Sequence, residues 1–179
     1  MPDSIEVDGE NFKIYTDFRE FIELTEIIES RDYSKLADYL MNLFIFEIPE
    51  NIEEAIRKII LFLNLNEEQG KAAGEGGRKK GPSFSFEVDA NYILGAFREV
   101  YGIDLIRIKY MHWFEFNALM MSLPESTELK KRIYYRSIDV DKIKDKQEKT
   151  RIIAIQNRIA IRSKFEEEMT DEEIGAALL

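Results

Sequence analysis

The chain contains no cysteine, one His, one Trp and four prolines in 179 residues. Without cysteine there are no disulfides, no thiolate metal ligands and no thiol nucleophile, a composition that fits a reducing compartment. A single imidazole removes every metal site built on several histidines and leaves His112 as the sole imidazole candidate for a general base. No apolar run approaches the roughly 20 residues that span a bilayer. Residues 59–63 are too short, and residues 113–123 are interrupted by Glu115 and Asn117. The opening Met-Pro-Asp-Ser-Ile-Glu has no basic stretch leading into an apolar one, so no signal peptide is expected. The expectation is a soluble, cytosolic chain with no membrane segment.

What is present is enough apolar material, 45% of residues, to bury a sizeable core. The net charge of -10 is uneven: residues 130–164 hold 12 Lys or Arg against 4 Asp or Glu, and the remainder holds 13 against 31. An acidic body with a basic C-terminal arm favours self-association or a charged partner.

Taken in order, Ile5 and Val7, then Asp8-Gly9-Glu10-Asn11, then Phe12 and Ile14 predict a small β-hairpin with the four apolar residues on one face. Asp17, with Glu20 three residues on, predicts the start of a helix ending near Ser30. Leu36, Tyr39, Leu40, Leu43 and Phe44 predict a second helix. Pro49 suits the first turn of a third helix, whose stripe is Ile52, Ala55, Ile56, Ile59, Ile60 and Leu63. Residues 65–82 are polar and Gly-rich and read as a flexible linker or loop between an N-terminal half (1–64) and a C-terminal half (83–179) of a single helical domain. Beyond it, Asp89 is placed to cap a helix carrying Tyr92, Ile93, Ala96, Phe97 and Val100, and Gly102 is placed to end it. Asp104 then opens a further helical turn. Residues 110–123 are apolar almost all round and predict a helix that either is buried or covers a partner, with His112, Glu115 and Ser122 on one polar strip. A helix over 125–137 carries Leu129, Ile133 and Tyr134 on one side. A basic amphipathic segment opened by Asp139 or Asp141 runs through Ile152, Ile155 and Ile159. A capping pattern at Thr170 predicts a short terminal helix. The fold class is mainly α, a helical domain with a small N-terminal β-hairpin.

No catalytic constellation emerges. Asp89 and Asp104 read as helix caps rather than an acid–base pair, the glycines before Pro82 lack the Gly-Lys-Ser/Thr of a phosphate loop, and Glu166-Glu167-Glu168 lacks the alternation of a calcium loop. The reading is a non-enzyme with no metal and no cofactor. Nucleic-acid binding through residues 130–164 is the alternative that composition offers, but the overall negative charge and the interleaved Asp139, Asp141, Asp145 and Glu148 weigh against it.

The ordered set Pro82-Ser-Phe-Ser-Phe-Glu-Val-Asp-Ala-Asn-Tyr-Ile, Tyr101-Gly-Ile-Asp-Leu, Tyr110-Met-His-Trp and Phe116-Asn-Ala-Leu resembles the gene-product-fifteen family of tailed phages and prophages of Gram-positive bacteria. The resemblance extends to the Val-Asp-Gly-Glu hairpin, to Ile14-Tyr-Thr-Asp-Phe-Arg, to Ile48-Pro-Glu-Asn and to Tyr135-Arg-Ser-Ile-Asp. It implies a tail-assembly chaperone that binds the tape-measure protein and keeps it soluble in the host cytoplasm, with the tail tube protein as a further partner and no place in the mature virion. A tail structural or adaptor protein is the alternative within the same setting. For the partner-binding surface the reading nominates Tyr110, Trp113, Phe114, Phe116, Met120 and Met121, whose aromatic and Met side chains suit an amphipathic client helix. Self-association through the basic arm stands beside it.

Overall fold

Asp8 and Gly9 both take positive φ, 50° and 85°, the geometry that a two-residue hairpin loop requires. In this computed structural model, which describes residues 1–31, 33–65 and 83–161, they join β1 (Ser4–Val7) to β2 (Glu10–Lys13). Ile5 lies opposite Phe12, and Val7 opposite Glu10. Ile5, Val7 and Ile14 are buried as their alternation predicts. The chain divides into two compact units, Met1–Glu75 with Phe97–Leu123 and Gly76–Ala96 with Pro124–Leu179. Residues 97–123 therefore group with the N-terminal ones, where the sequence reading assigned everything from 83 onward to a C-terminal half.

In the first unit, the extended residues after β2 form a spine. Tyr15 N–H donates to the Leu43 carbonyl and Ile45 N–H to the Lys13 carbonyl, while Phe18 N–H donates to Met111 and Trp113 N–H to Thr16. One short run of backbone thus pairs with two distant stretches. Asp17 caps α1 (Phe18–Ser30) by accepting from Arg19 N–H, and the Glu20 carboxylate accepts from the Tyr39 hydroxyl of α2 (Tyr33–Asn42). Asn51 caps α3 (Ile52–Leu63) through Glu54 N–H. Pro49 consequently precedes the cap instead of occupying the first turn. Ile52 points outward, and the buried face of α3 is Ala55, Ile59 and Phe62. α4 (Phe86–Tyr101) ends at Gly102, φ 68°, and its last turns belong to this unit. The Arg98 guanidinium meets the Asp104 carboxylate, and Asp104 accepts from the N–H groups of Ile106 and Arg107 to form the expected helical turn. Arg19 holds that turn to α1 through the carbonyls of Leu105 and Ile108. α5 (Trp113–Met121) completes the unit.

The second unit is held differently. Asp89 is not the cap of α4. Ser85 takes that place, accepting from Val88 N–H, and Asp89 lies in the first helical turn and reaches back to Ser85 N–H. Its carboxylate is completely buried and paired bidentately with Arg136 at 2.6 and 3.0 Å. Arg136 sits on α6 (Glu128–Ser137), is 5% exposed, and also donates to the carbonyls of Ser83 and Ile159. The last of these ends α7 (Lys146–Ile159). Thr127 caps α6, so this helix starts three residues later than the sequence reading placed it, and Tyr134 faces solvent instead of the core. Asp139 opens only a short 3-10 turn, Val140–Lys142, and Asp145 caps α7. Ile152 and Ile159 are buried and Ile155 is half-buried along the expected stripe. The predicted linker, apart from Leu65, and the predicted terminal helix at Thr170 lie outside the described residues.

Candidate functional site

Why α5 begins at Trp113 rather than at Tyr110 follows from the spine. The Met111 carbonyl and the Trp113 N–H are taken by Phe18 and Thr16, which holds residues 110–112 extended. His112 is then the N-cap and not part of a polar helical strip. Its Nδ1 accepts from Phe114 N–H at 3.0 Å, so the proton resides on Nε2, which donates to the Pro2 carbonyl at 2.8 Å. Both ring nitrogens are engaged in holding backbone.

One side of α5 is locked into an aromatic stack. Phe116 lies 4.7 Å from Phe18 and 5.2 Å from Phe97, each nearly parallel to it, and Trp113 stacks on Phe21 at 5.5 Å. Phe62 joins Phe21 at 5.2 Å and Phe114 at 4.7 Å. Trp113 Nε1 donates to the Leu63 carbonyl and Tyr101 donates to Leu119. The structure divides the six nominated side chains accordingly. Trp113 and Phe116 are core and offer a partner no free face. Phe114 and Met120 are half-buried, Tyr110 is exposed with its hydroxyl on Thr16, and Met121 is 73% exposed.

Residues at i, i+4 and i+7 share one face of a helix. Phe114, Ala118 and Met121 therefore form an apolar row that begins at Phe114, half-buried against Phe62, and runs out to exposed Ala118 and Met121. Ala118 is not among the six residues that the sequence nominates, although a helix apolar all round implies that some apolar row must face away from the core. Here the row is carried on a helix whose opposite side is fixed by stacked rings, so it presents a rigid template.

Two side chains in this unit titrate away from their ordinary values. Burial, together with the Glu20 carboxylate, pushes the Tyr39 phenol well above its ordinary value. For Asp104, desolvation acts upward but is outweighed by the Ile106 N–H, the Arg98 guanidinium and the Arg107 N–H, which hold its carboxyl below the usual range. Both groups serve structure. Among the described residues no three His, Asp or Glu side chains gather as a metal would need, and no helix is long and apolar enough to cross a membrane.

No curated protein and no solved structure matches the chain. The family model described as Bacteriophage Gp15 protein matches residues 1–161, taking in the hairpin, the spine, the aromatic stack and the Asp89–Arg136 pair. The chain belongs to the bacteriophage Gp15 protein family.

Proposed function

We propose that this phage protein is a tail-assembly chaperone that binds the tape-measure protein in the host cytoplasm and keeps it soluble until the tail tube forms around it. The observation that carries this reading is the Phe114–Ala118–Met121 row on α5. Its i, i+4, i+7 spacing suits an amphipathic client helix laid along it, and Met adapts to varied apolar partners. Tyr110 and Met120 supply the margin. The net charge of -10 keeps a complex with an apolar client in solution. The protein acts by binding, without catalysis or cofactor, and leaves before the particle matures.

Co-expression with the tape-measure protein of the same phage tests this. The expected result is a soluble client that copurifies. Ala118→Asp combined with Met121→Asp, both at exposed positions, should weaken capture about tenfold or more while leaving the far-UV circular dichroism unchanged. A client equally insoluble with and without this protein, and no copurifying complex, would overturn the reading. Mass spectrometry of purified virions supplies a second check: stoichiometric presence there favours a structural or adaptor subunit instead.

A further inference from the structure

The loop from α2 to α3 is unusually apolar for an exposed segment. Phe46 is 81% exposed, and Ile45, Ile48 and Ile52 are also exposed. It is not free to wander. Ile45 N–H donates to the Lys13 carbonyl at one end, and the Asn51 amide donates to the Asp8 carboxylate at the other. The loop therefore runs along the hairpin from the end of β2 back to its turn; Leu43, Phe44 and Pro49 are buried, and Ile45, Phe46 and Ile48 are held outward. Around it lie Glu6, Glu10, Glu47, Glu50 and Glu53, all exposed and without an ion-pair partner among the described residues. Residues 1–65 as a whole carry 15 acidic against 6 basic side chains.

The second unit offers the opposite surface. On α6, Lys131 and Tyr134 share a face at i, i+3, and on α7, Lys146 and Ile153 share one at i, i+7. All four are exposed, and neither lysine has an ion-pair partner among the described residues. An apolar patch rimmed with carboxylates and exposed lysines that each share a helix face with an apolar side chain complement each other in both charge and hydrophobicity. We propose that the acidic loop patch of one copy docks the basic α6–α7 face of a second copy. The two surfaces differ, so the contact is head-to-tail. A pair of copies leaves one patch and one basic face unfilled, and assembly continues beyond a dimer as a ring or an open chain.

Sedimentation of the full chain tests this independently of any client. The wild-type protein is expected to form concentration-dependent species larger than a dimer. These should dissociate as salt rises from about 0.01 M to about 1 M, which shortens the Debye length from about 30 Å to about 3 Å. Phe46→Asp and the pair Lys131→Glu with Lys146→Glu should each leave a folded monomer, because all three side chains are exposed; unchanged thermal unfolding controls for this. Mixing the two variants should give a one-to-one dimer and nothing larger, since each keeps the surface the other lacks. Three results would overturn the proposal: a wild-type monomer at about 100 µM in low salt, a concentration above which a contact of micromolar strength would be populated; variants that assemble like the wild type; or a mixture that stays monomeric.

Discussion

The two units solve the same problem by different means. The first is closed by stacked rings, where Phe18, Phe97, Phe116, Trp113, Phe21 and Phe62 lie face to face within 4.7 to 5.9 Å of a neighbour. In the second, Phe84 meets Phe86 and Tyr134 meets Tyr135 edge-on, and the unit converges on one guanidinium, which ties α4, α6 and the end of α7 together. Arg132 packed over Tyr92 at 3.8 Å, and Gln156 donating to the carbonyls of Tyr135 and Ile138, extend the same polar style of closure. A stack of several rings can lose one contact and keep the others, whereas a buried ion pair works only while both partners are present.

The sharpest way to break this contrast is Arg136→Ala. It strands a buried Asp89 carboxylate and should cost about 3–5 kcal/mol, with hydrogen exchange rising at the start of α4 and along α7. Replacing both partners, Asp89→Leu with Arg136→Met, should regain most of that loss, because the desolvation of two charges no longer has to be offset. If the double variant is as unstable as the single one, the pair is not the closing element. Phe116→Ala tests the other unit. It removes the stacking contacts with Phe18, Phe97 and Trp113 and leaves a cavity, with an expected cost of about 3–5 kcal/mol. Phe116→Leu should cost much less, a graded response that the ion pair would not give. Trp113, the only Trp, reports directly on this unit by fluorescence, so Phe116→Ala should shift that signal and Arg136→Ala should move it later or not at all.

The smallest effect is expected at Tyr39. Its phenol is raised above the ordinary value of 10.0, so its contribution is fully present below that value and is lost as pH climbs above it. Denaturant midpoints measured at rising alkaline pH should fall faster for the wild type than for Tyr39→Phe. Parallel curves would mean that the hydroxyl contributes nothing through its titration.

Much of the first unit was legible from local signals. Asp8-Gly9 declares its turn because few residue pairs accept two positive φ values, and Gly102 declares a helix end for the same reason. Apolar periodicity found the buried stripes of α4 and α7. What stayed hidden was non-local. Asp89 reads as a cap because its partner lies 47 residues away on another helix, and no spacing rule connects the two. The extended conformation of residues 110–112 was invisible because their apolar character is equally good for a helix; only the pairing with residues 16–18 decides it. The partner-binding residues nominated from the sequence lie on α5 and just before it. The sequence could not say which of Trp113, Phe114, Phe116, Met120 and Met121 face out, since a helix without a polar side carries no internal compass.

The spine imposes an order on the birth of the chain. Residues 16–18 find their partners only when residues 111–113 have been made, about 95 residues later. At about 5–20 residues per second, that is roughly 5–20 s during which the hairpin and first three helices wait on the ribosome with their ring-bearing faces uncovered. The stretch 83–96, delivered within that interval, must wait longer still for Arg136. A nascent chain of this design is therefore itself in need of shelter, and truncation anywhere before residue 113 should yield a product that is cleared or aggregates rather than a smaller working protein.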